Sequence, residues 1–237
     1  MKYSTPVNSN NLSVAQIYIG YDSTQHIAYE VLQYSLRLHT SRDLDIRPIC
    51  IKAIEREHGW TRPIDPLQST EFTYTRFLVP YLCNYKGIAL FMDCDMLCLA
   101  DISELFQLEM DNYALRVVKH DHHPTKATKM GGKVQTFYPR KNWSSLMLMN
   151  CEYLKVWTLR DVQEQSGAWL HRFESIPDDL IGDLPPEWNV LDRYDTSTKL
   201  VHYTEGGPWL SGCENHSYGD IWSAYAREFT ELQAGKS

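Results

Sequence analysis

Ile88-Ala89-Leu90-Phe91-Met92-Asp93-Cys94-Asp95 decides how this chain is read: a short apolar run that stops at two carboxylates one residue apart. The run predicts a buried strand, and α/β sheets bind ligands outside the carboxyl ends of such strands. Side chains alternate along a strand with period two, so positions 93 and 95 share a face and Cys94 points away. Two acids on one face beside an apolar wall repel each other unless a cation lies between them. A hard divalent ion, Mn²⁺ or Mg²⁺, satisfies both and keeps coordination positions for phosphate oxygens. An isolated D-x-D is also the pattern of one capping acid beside one solvated acid, so the rest of the chain has to decide.

Working outward, residues 14–19 read as a strand ending at Gly20. A helix is predicted next, N-capped by Asp22 or Ser23, with Ile27, Val31, Tyr34 and Leu38 on its apolar face. Residues 46–51 form the next expected strand, and residues 71–85 are apolar at helical spacing despite Pro80, which should kink or end the helix. Further strands are expected over 113–118 and 144–150, a helix-like stretch over 161–173, and an outer amphipathic helix over 218–232. This β-α-β-α-β order predicts an α/β fold with a mostly parallel central sheet and helices on both faces. Residues 1–13 are expected to be a disordered lead, and residues 14–237 a single domain.

Composition narrows the class. The formal net charge of −7 argues against a general nucleic-acid binder, whose footprint would be basic. No apolar run approaches the length that crosses a bilayer, so no transmembrane segment is expected. The six cysteines are spread singly without a C-x-x-C, which suits a reducing compartment and a cytoplasmic location rather than a zinc or thioredoxin-type site.

Three further stretches carry chemistry. His202-Tyr203-Thr204-Glu205-Gly206-Gly207-Pro208-Trp209 offers an imidazole to complete a metal site with Asp93 and Asp95. Gly206 and Gly207 would let backbone approach a pyrophosphate closely. Residues 116–141 hold seven basic side chains, Lys133 among them, against one acid, with Gly131-Gly132 as a hinge. Such a segment is either a lid for an anionic ligand or a solvated connection. The acids of residues 175–189, Asp178 and Asp179 foremost, are turn residues or groups facing a reacting carbon.

Taken in order, Arg76 with the 71–85 segment, the D-x-D, residues 142–150, Asp178-Asp179, residues 184–189 and residues 202–209 resemble the family 8 retaining glycosyltransferases. That group contains the glycogenins and the lipopolysaccharide galactosyltransferases, and the resemblance covers about residues 15–210. It implies a GT-A-type fold and a hexosyltransferase using a nucleotide-diphosphate sugar, usually a UDP-sugar, with Mn²⁺. By the same resemblance Asp93, Asp95 and His202 would bind the metal, with Asp93 also touching the donor. Gly20, Tyr21 and Asp22 would hold the base, and Arg76 would sit near the donor sugar. Asp179, or Asp178 in its place, would line the sugar's reactive face.

The chain departs from the family pattern twice. A late-motif lysine that meets the diphosphate is Gly207 here, which leaves a lysine of the basic loop such as Lys133 to replace it. Where the family has N-[SA]-G-V, this chain has Asn142-Trp143-Ser144-Ser145. The expected activity is transfer of a sugar with retention from a nucleotide-sugar donor to an unknown glycan or small-molecule acceptor. Two alternatives stand beside it. One is a catalytically idle nucleotide-sugar or glycan-binding module, favoured by the missing lysine. The other is a sugar nucleotidyltransferase, disfavoured because Gly20-Tyr21-Asp22-Ser23 is neither glycine-rich nor basic.

Overall fold

The computed structural model describes residues 14–235 apart from 67, 121–138, 215 and 217; the expected disordered lead and Lys133 lie outside the described residues. Strand β1 (Ala15–Gly20) leads through a 3₁₀ turn at Ser23–Gln25 into helix α1 (His26–His39). The buried stripe of α1 is Ala28, Val31, Leu32, Ser35 and Leu36, whereas Ile27 and Leu38 of the expected apolar face are exposed. The buried positions recur at spacings of three and four on a face turned from the expected one, with Val31 common to both. Next come β2 (Leu44–Ile49) and an unanticipated helix α2 (Ile51–His58), closed by Gly59 at φ 70°. A left-handed residue of this kind is the usual helix stop.

The predicted 71–85 helix breaks in two, a 3₁₀ turn at Thr75–Leu78 and a short α3 (Val79–Leu82), because Pro80 sits in the first turn of the latter, where its missing N–H costs nothing. Strands β3 (Ile88–Met92), β4 (Met96–Cys98), β5 (Leu115–Val117) and β6 (Leu146–Asn150) follow. The 161–173 stretch also splits, into α4 (Leu159–Glu164) and α5 (Gly167–His171), since Thr158 and Ser166 each cap a separate helix. The chain closes with β7 (Ile181–Asp183), β8 (Val190–Leu191), β9 (Leu200–His202) and α6 (Gly219–Ala234).

The main sheet runs β2-β1-β3-β6-β5-β7. Only β6 pairs antiparallel with its neighbours β3 and β5, and the other pairings are parallel, so the sheet is mostly parallel as expected. Its central strands β3 and β6 are apolar but for Asn150 at the end of β6, as suits strands covered on both faces. A second sheet, β4-β9-β8, is made of three strands of two or three residues, which no periodicity could announce. In it β4 runs antiparallel to β9, with Met96 opposite His202. Among the described residues no helix is long and apolar enough to cross a membrane.

Candidate active site

Asp93 and Asp95 do not lie on one ideal strand. They form the bend between β3, which ends at Met92, and β4, which begins at Met96. The sharing of a face holds nonetheless: both acids line one cleft, and Cys94 is fully buried away from it. The second sheet supplies the third group. Because β9 pairs with β4, the Tyr203 N–H donates to the Asp95 carbonyl at 2.9 Å, and this places His202 beside the two acids. One donor atom from each of Asp93, Asp95 and His202 lies within 4.8 Å of the others.

Electrostatics within the cluster follow from burial. Burial opposes the ionisation of Asp95, yet His202 and, less strongly, Arg76 hold its carboxyl below the usual range. Burial likewise opposes a charge on His202, and the neighbouring Asp95 outweighs it and raises the imidazole. His202 Nε2 stands 3.3 Å from Asp95 Oδ1, an ion-pair contact that lacks hydrogen-bond alignment, so Oδ1 is buried with no hydrogen bond. Leaving such an oxygen unpaired is costly. Two carboxylates and an imidazole make a donor set that suits an Mn²⁺-class ion, and the orphaned oxygen shows that the cluster fits one.

Arg76 braces the cluster from behind. Its buried guanidinium donates from Nη1 to Asp93 Oδ1 at 2.8 Å and to the Ser144 carbonyl at 3.0 Å, and from Nε to the Thr73 carbonyl at 3.2 Å. The rings of Phe72 and Phe91 flank it at 5.2 Å each. A buried arginine with this many fixed acceptors holds one orientation.

The cleft measures about 850 Å³, and Arg76, Asp93, Asp95, His202 and Gly206 of the expected residues line it. Gly20, Tyr21, Asp22, Asp178, Asp179 and Gly207 are not among its lining residues. Asp22 is committed locally: one carboxylate oxygen accepts from the Thr24 N–H and hydroxyl, the other from the Glu71 N–H. Tyr21 packs edge-on against Tyr29 with ring centroids 5.3 Å apart. Asp178 is exposed and pairs with Arg140 at 2.5 Å. Gly207 has a packing duty, since a Cβ there would fall 1.9 Å from the Trp209 ring. A lysine at 207 therefore cannot coexist with Trp209 as it is placed. Of the basic segment's described cations, Lys119 also pairs with an acid, Asp183, at 3.2 Å.

Two lining side chains meet only in the fold. Ser144 Oγ stands 2.8 Å from His171 Nδ1 on the cleft wall. Burial, and then the Arg76 charge, push the His171 imidazole down to about 3, so it is neutral. A serine and a histidine 27 residues apart in a chain with nine histidines give no pattern to find.

Comparison with known proteins agrees with this architecture. The chain is 42% identical over 226 residues to Protein CDI of Arabidopsis thaliana, covering 91% of this chain and 87% of that protein. In fold it is similar to the apo form of the glycosyltransferase GlyE of Streptococcus pneumoniae TIGR4, with a TM-score of 0.60 and 15% identity over 94% of this chain. This chain spans 64% of the GlyE chain, less than two thirds of it. It is also similar to the galactosyltransferase LgtC in complex with donor and acceptor sugar analogues, with a TM-score of 0.53 and 13% identity over 90% of this chain and 95% of that one. Identities this low carry the fold alone, which is of the GT-A type. Membership comes from the sequence: residues 24–213, which hold the D-x-D bend, the cleft and the β9 histidine, match the description of glycosyl transferase family 8, and the chain belongs to that family.

Proposed function

We propose that this protein is a retaining hexosyltransferase that takes a sugar from a UDP-sugar donor, with Mn²⁺ or Mg²⁺ held by Asp93, Asp95 and His202, and passes it to a glycan or small-molecule acceptor. One observation carries the reading: three converging ligand groups with an unsatisfied buried carboxylate oxygen, on the floor of a cleft of about 850 Å³. A divalent cation there supplies stabilisation of the charge that develops on the diphosphate leaving group.

The chain's own residues do the remainder. Arg76 fixes Asp93 so that the acid does not reorganise when the donor enters, and preorganisation of this kind makes a charged site effective. The family resemblance also places Arg76 near the donor sugar. The neutral His171–Ser144 pair gives the cleft lining hydrogen-bonding groups without adding charge. Gly206, at φ 103° and lining the cleft, is the glycine suited to close backbone approach. Asp178 or Asp179 facing the anomeric carbon remains part of the proposal, and it requires the 178–180 turn to move toward the cleft. Lys133, or another lysine of its segment, is proposed as the cation that meets the diphosphate in place of a lysine at 207.

Calorimetric titration of UDP with and without Mn²⁺ tests the site. Binding should need the metal, and Asp95→Ala should weaken metal-dependent binding and transfer by about two orders of magnitude or more. Full metal-dependent transfer in Asp95→Ala would remove the reading. The Trp209 ring over Gly207 favours a second one, a nucleotide-sugar-binding module without catalysis. A binder releases no free sugar from the donor, whereas a transferase hydrolyses it slowly when no acceptor is present.

A further inference from the structure

The hydrogen bonds behind His202 run in one direction only. Ser145 Oγ lies 2.7 Å from the Asn142 carbonyl oxygen, which can only accept, so the single hydroxyl hydrogen of Ser145 is spent there. Asn189 lies 2.9 Å from the same Oγ and must therefore present its amide nitrogen to it, as a donor. That fixes the amide's orientation and turns Asn189 Oδ1 toward His202 Nδ1, 3.0 Å away. An amide oxygen accepts, so Nδ1 carries the hydrogen. Asn189 and His202 are both buried, Asn189 completely, so water does not substitute for any link. At the other edge of the ring, Nε2 faces Asp95.

We propose that Asn189 is a positioning residue that holds His202 in the Nδ1–H form and so reserves Nε2 for a divalent cation, with Ser145 as the anchor of the relay. The assignment rests on the reading of Asp93, Asp95 and His202 as cation ligands. Ser145 serves both halves of the cluster: its hydroxyl orients Asn189, and its backbone carbonyl accepts the Asp93 N–H at 3.0 Å. Sequence distance hides the arrangement, because Asn142, Ser145, Asn189 and His202 meet only once β6, β8 and β9 are in place. Partners behind a metal-binding histidine commonly set its tautomer and its basicity.

The test has two independent readouts. In metal-free protein made alkaline enough to neutralise the ring, ¹⁵N NMR should show the His202 hydrogen on Nδ1. Titrating Mn²⁺ alone by calorimetry should show Asn189→Leu weakened by about 10- to 100-fold. Asn189→Asp keeps an acceptor toward Nδ1 but loses the donor toward Ser145, so it should fall between Asn189→Leu and wild type, a partial rescue that a merely space-filling role would not produce. A hydrogen on Nε2 in the wild-type protein, or a folded Asn189→Leu that binds Mn²⁺ as tightly as wild type, overturns the assignment. Should the wild-type protein bind no Mn²⁺, the metal reading fails. The ring's tautomer, measured without metal, then still upholds Asn189 if the hydrogen is on Nδ1 and overturns it if it is on Nε2.

Discussion

His171 shows how much a single cleft side chain owes to its surroundings. Burial and Arg76 depress its pKa from 6.5 to about 3, so the folded protein keeps the ring neutral where the unfolded chain would protonate it. Between those values the unfolded state binds the extra proton, and stability falls as the pH falls. The contribution is therefore intact above about pH 6.5 and is lost progressively toward pH 3. Denaturant unfolding of wild type and His171→Gln across this range should give a shallower acid slope for the variant; equal slopes would mean that another group carries the effect. At this scale the D-x-D and His202 were legible, because carboxylates after an apolar run and a histidine beside glycines are local patterns. Asn189, Ser144 and His171 were not, since each gains its role from a partner distant in the sequence. Tyr21 and Asp22, expected to hold the base, lie outside the cleft lining and are held by Tyr29, Thr24 and Glu71.

Among the elements, the end of β1 is packed tightly. A Cβ on Gly20 would lie 2.3 Å from a Phe72 ring carbon, and Phe72 in turn flanks Arg76. Gly20 is thus a seat for an aromatic ring rather than an open strand tip. Gly20→Ala should destabilise the fold by about 1–3 kcal/mol through overpacking. In a chain of this length that is a fall in Tm of about 2–4 °C per kcal/mol, and a thermal scan showing no change would refute the close approach. The long strands were readable from their apolar runs, as were α1 and α6. Elements of two or three residues, such as β8 and β9, were not, because they carry no period of their own and exist only by pairing. Helix α2 was missed for a different reason: only Ile54 is buried and Ile51 partly so, too little for a stripe.

For the molecule as a whole, the two sheets meet where β3 gives way to β4, and the ligands sit along that line: Asp93 directly after the large sheet, Asp95 directly before the small one, and His202 on it. A bound cation would act as a rivet through this seam, so occupancy becomes a property of the entire fold and not of the cleft alone. A ligand present at a hundred times its Kd adds about 2.7 kcal/mol to the folded state. Chelation should accordingly lower Tm by about 5–10 °C, and hydrogen exchange should quicken first in β8 and β9, which have the shortest ladders to hold them once the rivet is out. Uniform loosening of both sheets, or none, would mean that the seam holds without it. With β8 and β9 loosening first, the small sheet is a gauge of the ion: closed when it is loaded, the first part to breathe when it is gone.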